Sequence, residues 1–211
     1  GGTTGITVIA LAGIVCDQSI RIAGDEFTAD IMEALRRYHS LLIGERTAEQ
    51  IKIQVGAAMK DLDNPPDDIP VNGRDLVTGI PKQVMVSYQE VAEALDKSIF
   101  KIEEAILKAL ETTPPELASD IYRRGLYITG GGALLRGLDK RLNAKIKLPV
   151  HVADDPLPQG IDGHQVPVPA RRPARMMPSG DQAGAAALRQ HAVEPAQLRL
   201  PGIAAQVAVE Q

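Results

Sequence analysis

Two glycine turns and one acidic–basic helix pair hold the residues of this chain best placed to do chemistry. Gly1-Gly2-Thr3-Thr4 leads into the apolar run Ile6-Thr7-Val8-Ile9-Ala10-Leu11. Thr129-Gly130-Gly131-Gly132-Ala133 follows Leu126-Tyr127-Ile128 and opens an apolar helix pattern at Leu134, Leu135, Leu138 and Leu142. Glycine lets the backbone approach a ligand closely and aim N–H groups at it, which suits phosphate oxygens. A helix N-terminus adds unpaired donors and a positive dipole end. Alone, each turn has a plainer reading, either a bend before a strand or a strand-to-helix joint that needs glycine for packing. Together they suggest a nucleotide held between them. Glu49 and Lys52 lie three apart on a predicted helix and share a face. The carboxylate suits ribose hydroxyls and the lysine stem suits a base. The plainer reading is an exposed ion pair worth about 0.3–0.5 kcal/mol.

Other chemistries find little support. His39, His151, His164 and His191 show no metal-ligand spacing with one another or with Cys16. No Gly-x-Ser-x-Gly, Walker loop or Gly-x-Gly-x-x-Gly occurs. Asp25-Glu26 after Gly24 suits a helix N-terminus through the dipole, and that reading stands level with any ligand role.

The elements that would position these residues follow from periodicity and turn chemistry. Residues 5–22 read as a β-hairpin joined at Ala12-Gly13. Phe27, Ile31, Leu35, Tyr38 and Leu42 read as one helix. Thr47, with Gln50 three residues on, predicts a capping box opening a second helix, with Ile51, Val55 and Ala58 as its stripe. Ile69–Asn72 and Gln83–Tyr88 read as strands around Gly79-Ile80-Pro81. Ser87 and Glu90 predict a second capping box, for a long helix carrying Val91, Leu95, Ile99, Ile102, Ile106 and Leu110. Thr113-Pro114-Pro115 stops that helix. A short helix at 116–122, a strand at 126–129, a helix from the glycine turn to about Asn143 and a strand at 150–152 complete the pattern.

With 211 residues the chain can bury a real core in one or two domains. A net charge of -4 argues against a general nucleic-acid partner. No run is long and apolar enough to span a bilayer, and the N-terminal residues lack a signal-peptide pattern. Cys16 is the single cysteine, which excludes an internal disulfide and fits a reducing compartment. Its strand-like surroundings predict a buried structural thiol. After Leu157 the composition shifts. All nine lysines lie at or before Lys147, while seven of the fifteen prolines fall in residues 158–211. Without apolar periodicity, that tail is expected to be low in order.

The order of the weak signals is more specific than any one of them. Ile22-Ala23-Gly24-Asp25-Glu26, the run from Leu42 to Lys52, Val71-Asn72-Gly73-Arg74-Asp75-Leu76, Pro114–Ile121 and Leu126–Leu138 follow the Gly-Gly-Thr-Thr turn in series. The series closely resembles the MreB family of bacterial actin-like rod shape-determining proteins, over about residues 1–157. The resemblance implies an α/β, actin-like ATPase fold of two lobes around an ATP cleft, with this chain carrying the second lobe only. It implies an inner subdomain at 1–24 and 89–157 and an inserted outer subdomain at 25–88. Residues 158–211 would then be a tail.

By the same resemblance, Gly1, Gly2 and Thr3 belong to the second phosphate loop. Glu49, Gln50, Ile51 and Lys52 match the helix that contacts ribose and base. Gly130, Gly131, Gly132 and Ala133 match the adenosine turn. ATP and Mg2+ are the implied cofactors, with no catalytic or metal-binding residue assigned in this chain. The implied function is to determine rod shape by forming membrane-associated filaments that direct cell-wall synthesis, with slow ATP hydrolysis tied to polymerisation. The implied partners are further copies in filaments, the inner-membrane elongation machinery and the membrane surface. The implied place is the cytoplasm, peripheral to the inner membrane.

The family's phosphate loop carries an aspartate and a further glycine before Gly1, and its first lobe holds the residue that positions the attacking water. None of these stands in this sequence. Weak or no ATP binding, and no ATPase activity, is therefore expected of the chain alone. The switch after Asp154-Asp155-Pro156-Leu157 looks like translation in a shifted reading frame. A truncated, non-functional fragment is the alternative reading. A superfamily sugar kinase fits less well, because the run at 42–52 favours the MreB resemblance.

Overall fold

A computed structural model describes residues 2–10, 13–153 and 204–209. Strand β1 (Thr4–Ala10) and strand β2 (Gly13–Ile20) form the expected hairpin, with Thr4 opposite Ile20 and a bulge between Val8 and Ile9. On β1, Ile6 and Val8 turn into the core at period two. Helix α1 (Gly24–His39) follows, with Asp25 and Glu26 in its first turn and Arg36, Arg37 and His39 in its last, the arrangement its dipole favours. Phe27, Ile31 and Leu35 are its buried stripe.

The expected continuation of α1 to Leu42 is not found. Ser40 takes left-handed dihedrals (φ 51°) and ends the helix, and Leu41–Leu42 become strand β3. Helix α2 (Glu45–Val55) starts two residues before Thr47, with Gly44 as its cap. The Thr47 capping box is therefore overturned, since the Thr47 N–H already bonds the Gly44 carbonyl. Strands β4 (Ile69–Asp75) and β5 (Pro81–Val86) pair antiparallel, and β3 adds to β4, giving a three-stranded sheet. β5 stops before Ser87 because Ser87 caps helix α3 (Tyr88–Glu111), with both bonds of the predicted box to Glu90 present.

Helix α3 buries Val91, Leu95, Ile99, Ile102 and Ile106 as the periodicity required. Helix α4 (Pro115–Arg124), strand β6 (Leu126–Thr129), helix α5 (Leu138–Ile146) and strand β7 (Val150–Val152) follow. The glycine turn does not open an α-helix. It forms a four-residue 3-10 turn, Gly131–Leu134, and α5 begins only after Gly137, at φ 75°. A Cβ on Gly137 would meet Met59 and Leu62 at 2.9 Å, so the close approach and the positive φ both call for glycine there. Leu138 and Leu142 are buried as expected, whereas Leu134 is 57% exposed. Cys16 is only half-buried, with its sulfur 3.6 Å from the Thr112 hydroxyl, rather than a fully buried thiol.

The tail expectation is corrected in one place. Residues 204–209 form strand β8 (Ala204–Val209) inside the main sheet, whose order is β2-β1-β8-β6-β7. Val207 is fully buried in the core. The rest of the predicted tail lies outside the described residues, as do the hairpin joint at Ala12 and the turn residue Gly1. One hydrophobic cluster runs through both sheets, from Ile6 and Val8 through Phe27, Val71 and Leu95 to Leu126 and Leu142.

Candidate functional site

Strand register brings the two glycine turns to the same end of the main sheet. β8 runs antiparallel to β1, with Ala208 opposite Gly5 and Val209 opposite Thr4. It runs parallel to β6, with Ala208 opposite Thr129. The chain therefore enters β1 through Gly2-Thr3 at the level where it leaves β6 into Gly130. One strand separates the turns, which sets them about 10 Å apart, two strand spacings. Gly130 has a φ of 85°, a conformation that glycine adopts without strain. Residues 130–133 are buried, while Gly2 is exposed and Thr3 half-exposed.

The first turn faces helix α1. A Cβ on Gly2 would lie 3.2 Å from Oδ2 of Asp25. Next to Asp25 is a knot of polar groups joining α1 to α2. The Lys52 ammonium donates to the Gly24 carbonyl at 3.0 Å and to the Thr28 hydroxyl at 3.2 Å, and pairs with Glu49 Oε2 at 2.6 Å. Those three contacts use all of its donors. The Thr28 hydroxyl lies 2.9 Å from both the Gly24 carbonyl and Glu49 Oε2, and its single proton serves one of them at a time.

The pair expected on an exposed helix face is thus split in depth. The Lys52 side chain is 7% exposed and the Glu49 side chain 38%. Gln50 is exposed beside them, and Ile51 is buried in the core. Glu49 therefore presents its carboxylate from a rigid mount, while Lys52 acts from beneath as the strut.

The cleft above this knot holds about 560 Å³ and is lined by Asp25, Thr28, Ala29, Met32, Glu45, Arg46 and Glu49. Of these, only Glu49 stood out from residue types and spacing. Asp25 showed itself only as a helix-dipole residue. Thr28 and Met32 carried no signal, because their place in the cleft depends on how α1 crosses α2. The cleft offers carboxylates and a hydroxyl for hydrogen-bonding a polyol, with an arginine at its rim. Among the described residues no three acidic, imidazole or thiol groups converge to hold a metal ion.

The second turn is anchored to the far end of α2. The Ala58 N–H donates to the Arg136 carbonyl at 2.8 Å, and Ala57 bridges Arg136 in a parallel register. Gly56 sits against Leu135, where a Cβ would come within 2.9 Å of that side chain. Arg141 of α5 donates to the Ala58 carbonyl at 2.8 Å and pairs with Glu103 at 2.6 Å and Asp96 at 2.8 Å. Burial opposes its charge, and the bonds to Glu103 and Asp96 outweigh that and hold its pKa above the ordinary value. The α1–α2 knot, the end of α2 and the second glycine turn thus form one continuous wall.

A family model described as MreB/Mbl protein matches residues 1–171. The chain belongs to the MreB/Mbl family. It is 48% identical over 157 residues to the cell shape-determining protein Mbl of Bacillus subtilis, covering 74% of this chain and 46% of that protein. It is 47% identical over 160 residues to the cell shape-determining protein MreB of Escherichia coli, covering 74% and 45%. The chain thus spans about half the length of the curated relatives it matches. A crystal structure of MreB5 of Spiroplasma citri bound to ADP superposes with a TM-score of 0.71 at 38% identity, covering 74% of this chain and 47% of that one. The MamK double helical filament shares the fold at 22% identity and a TM-score of 0.56. The fold is therefore a partial actin-like fold, in a family of cell shape-determining proteins. No helix among the described residues is long and apolar enough to cross a membrane.

Proposed function

We propose that this chain supplies the ribose-and-base side, and part of the phosphate side, of an adenine-nucleotide site in a filament-forming, cell shape-determining protein. The observation that carries this reading is the convergence of both glycine turns on one sheet end, with α2 joined to the second turn through Ala58 and Arg136. Glu49 would accept from ribose hydroxyls. The 130–133 turn would pass beneath the adenosine, and the Gly2-Thr3 amides would face phosphate oxygens. Lys52 would hold Glu49 and α1 in place rather than touch the ligand. MreB5 of Spiroplasma citri, solved with ADP and with AMPPNP, is 38% identical to this chain and supports the choice of ligand.

ATP would bring Mg2+ and the hydrolysable phosphoanhydride. The metal would be held chiefly by the phosphate oxygens and water, and this chain's residues would position the nucleotide. Its inner unit would be 1–24 and 89–157 and its outer unit 25–88. Assembly into filaments under the inner membrane, directing cell-wall synthesis with the elongation machinery, is the role this reading supports for the family member.

Saturation-transfer NMR with ATP tests the site. Transfer to the adenine and ribose protons, with weak overall affinity, is expected. Glu49→Gln should reduce the ribose signals while leaving the fold unchanged by circular dichroism. An absence of transfer at saturating ATP would remove the site, and micromolar affinity by calorimetry would refute the half-site reading.

A further inference from the structure

The two oxygens of the Glu49 carboxylate are not equivalent. Among the described residues, its protein contacts all fall on Oε2, which pairs with the Lys52 ammonium at 2.6 Å and lies 2.9 Å from the Thr28 hydroxyl. Oε1 has no protein donor, in a side chain that lines the cleft and is 38% exposed. A ligand in the cleft therefore meets Oε1.

Thr28 decides whether it also meets Oε2. The buried Thr28 hydroxyl accepts from Lys52 at 3.2 Å, and its one proton goes either to the Gly24 carbonyl or to Glu49 Oε2. The Gly24 carbonyl has Lys52 as a donor in either case. An ionised carboxylate is the stronger acceptor, so the proton is drawn to Glu49. With Lys52 and Thr28 both donating, Oε2 is filled. A carboxylate with both oxygens open can hold two neighbouring donors in parallel, as it holds an arginine. This one presents a single acceptor. Asp25 and Glu45 line the same cleft. Three carboxylates repel a phosphate and leave uncharged hydroxyls as the donors that fit.

We propose that Thr28 is a positioning residue that makes Glu49 a one-oxygen reader, so that the cleft reads one hydroxyl of a ribose diol and disregards the other. The inference rests on the nucleotide reading given above and extends it to the choice between ribose and its deoxy forms. An analogue lacking the hydroxyl that Oε1 reads strands that oxygen, whereas an analogue lacking the other hydroxyl loses nothing at Glu49.

Saturation-transfer NMR titrations of the chain with ATP, 2′-deoxyATP and 3′-deoxyATP test it. One analogue should bind about tenfold more weakly than ATP, the worth of one bond to a charged acceptor, and the other within about twofold of ATP. Thr28→Val keeps the side-chain shape and removes the hydroxyl, which opens Oε2 to a second donor. Both analogues should then weaken alike. Thr28→Ser returns the hydroxyl and should restore the asymmetry. A Thr28 that only supports the fold would shift all three ligands by one factor and leave the asymmetry in place. Thr28→Ala makes the same deletion with less bulk and replaces the valine variant if that one lacks the native circular dichroism. Equal binding of the two analogues to the parent chain, whether both match ATP or both fall short of it, overturns the proposal and leaves the nucleotide site standing. So does an asymmetry that survives loss of the hydroxyl. An absence of transfer from ATP itself overturns the nucleotide reading and this inference with it.

Discussion

Lys52 reaches back across 28 residues of sequence to hold the carbonyl of Gly24, with its ammonium 3.0 Å from that oxygen. The bond ties the last turn of α2 to the first residue of α1, the helix whose N-terminus faces the first glycine turn. Lys52→Met keeps the stem but leaves the Gly24 carbonyl, the Thr28 hydroxyl and Glu49 to find other partners. The expected loss of stability is about 1–3 kcal/mol, in line with stranding buried acceptors. Urea unfolding measures it. A change within about 0.5 kcal/mol, the usual size at a surface site, would show that the strut carries no load.

Gly56 tests the joint at the other end of α2. A methyl group there would lie 2.1 Å from the Lys52 carbonyl oxygen and 2.9 Å from the Leu135 side chain. Backbone cannot yield as a side-chain end can, so Gly56→Ala must unwind the last turn of α2 or push it from the second glycine turn. Overpacking of this kind costs about 1–3 kcal/mol. The expected result is a lower denaturation midpoint, with amide shifts at Ala58 and Arg136 in NMR spectra. Unchanged shifts at those two residues would mean that the joint tolerates a side chain.

Much of this arrangement was legible in the sequence, and the parts that were not share a cause. The hairpin, α3 with its Ser87–Glu90 box and the strand before Gly130 each follow from local pattern. The end of α1 at Ser40 was hidden because a left-handed serine has no sequence mark and Leu42 continued the helical spacing. The Thr47 box failed because Gly44, lacking a side chain to cap with, still starts α2 by its backbone. β8 was hidden most fully. Ala204-Ala205-Gln206-Val207 has little intrinsic strand preference, and only the slot between β1 and β6 makes it a strand. The site residues Thr28 and Met32 were invisible for the same reason, because helix crossing and not spacing brings them to the cleft.

Asp30 gives a pH-dependent handle on the α1–α3 contact. Burial raises its pKa above the ordinary 3.8, against a hydrogen bond from Ser98 that lowers it, with Glu26 adding to the rise and Lys101 and Lys97 opposing it. The native carboxyl thus holds its proton to higher pH than the unfolded one. Proton binding then favours the folded state below the ordinary value, and that advantage is lost as pH rises through the native value. Asp30→Asn removes this component. Stability measured across the acidic range should fall less with rising pH in the variant than in the parent, and parallel profiles would show that Asp30 makes no contribution.

The buried Glu103 makes the sharpest test of the Arg141 network. Glu103 is only 3% exposed and Arg141 is its ion-pair partner. Arg141→Met leaves a carboxylate buried without its cation, a change that costs about 3–5 kcal/mol. Glu103→Leu made in the same chain removes the stranded charge, so the double variant should regain most of that loss. Equilibrium unfolding of both singles and the double closes the cycle. A double variant as unstable as Arg141→Met alone would move the cause elsewhere, to the 2.8 Å bond from the guanidinium to the Ala58 carbonyl. In that case Arg141 acts chiefly by fastening α5 to the segment that carries the second glycine turn against α2, and amide shifts at Ala58 should appear in every variant lacking the arginine.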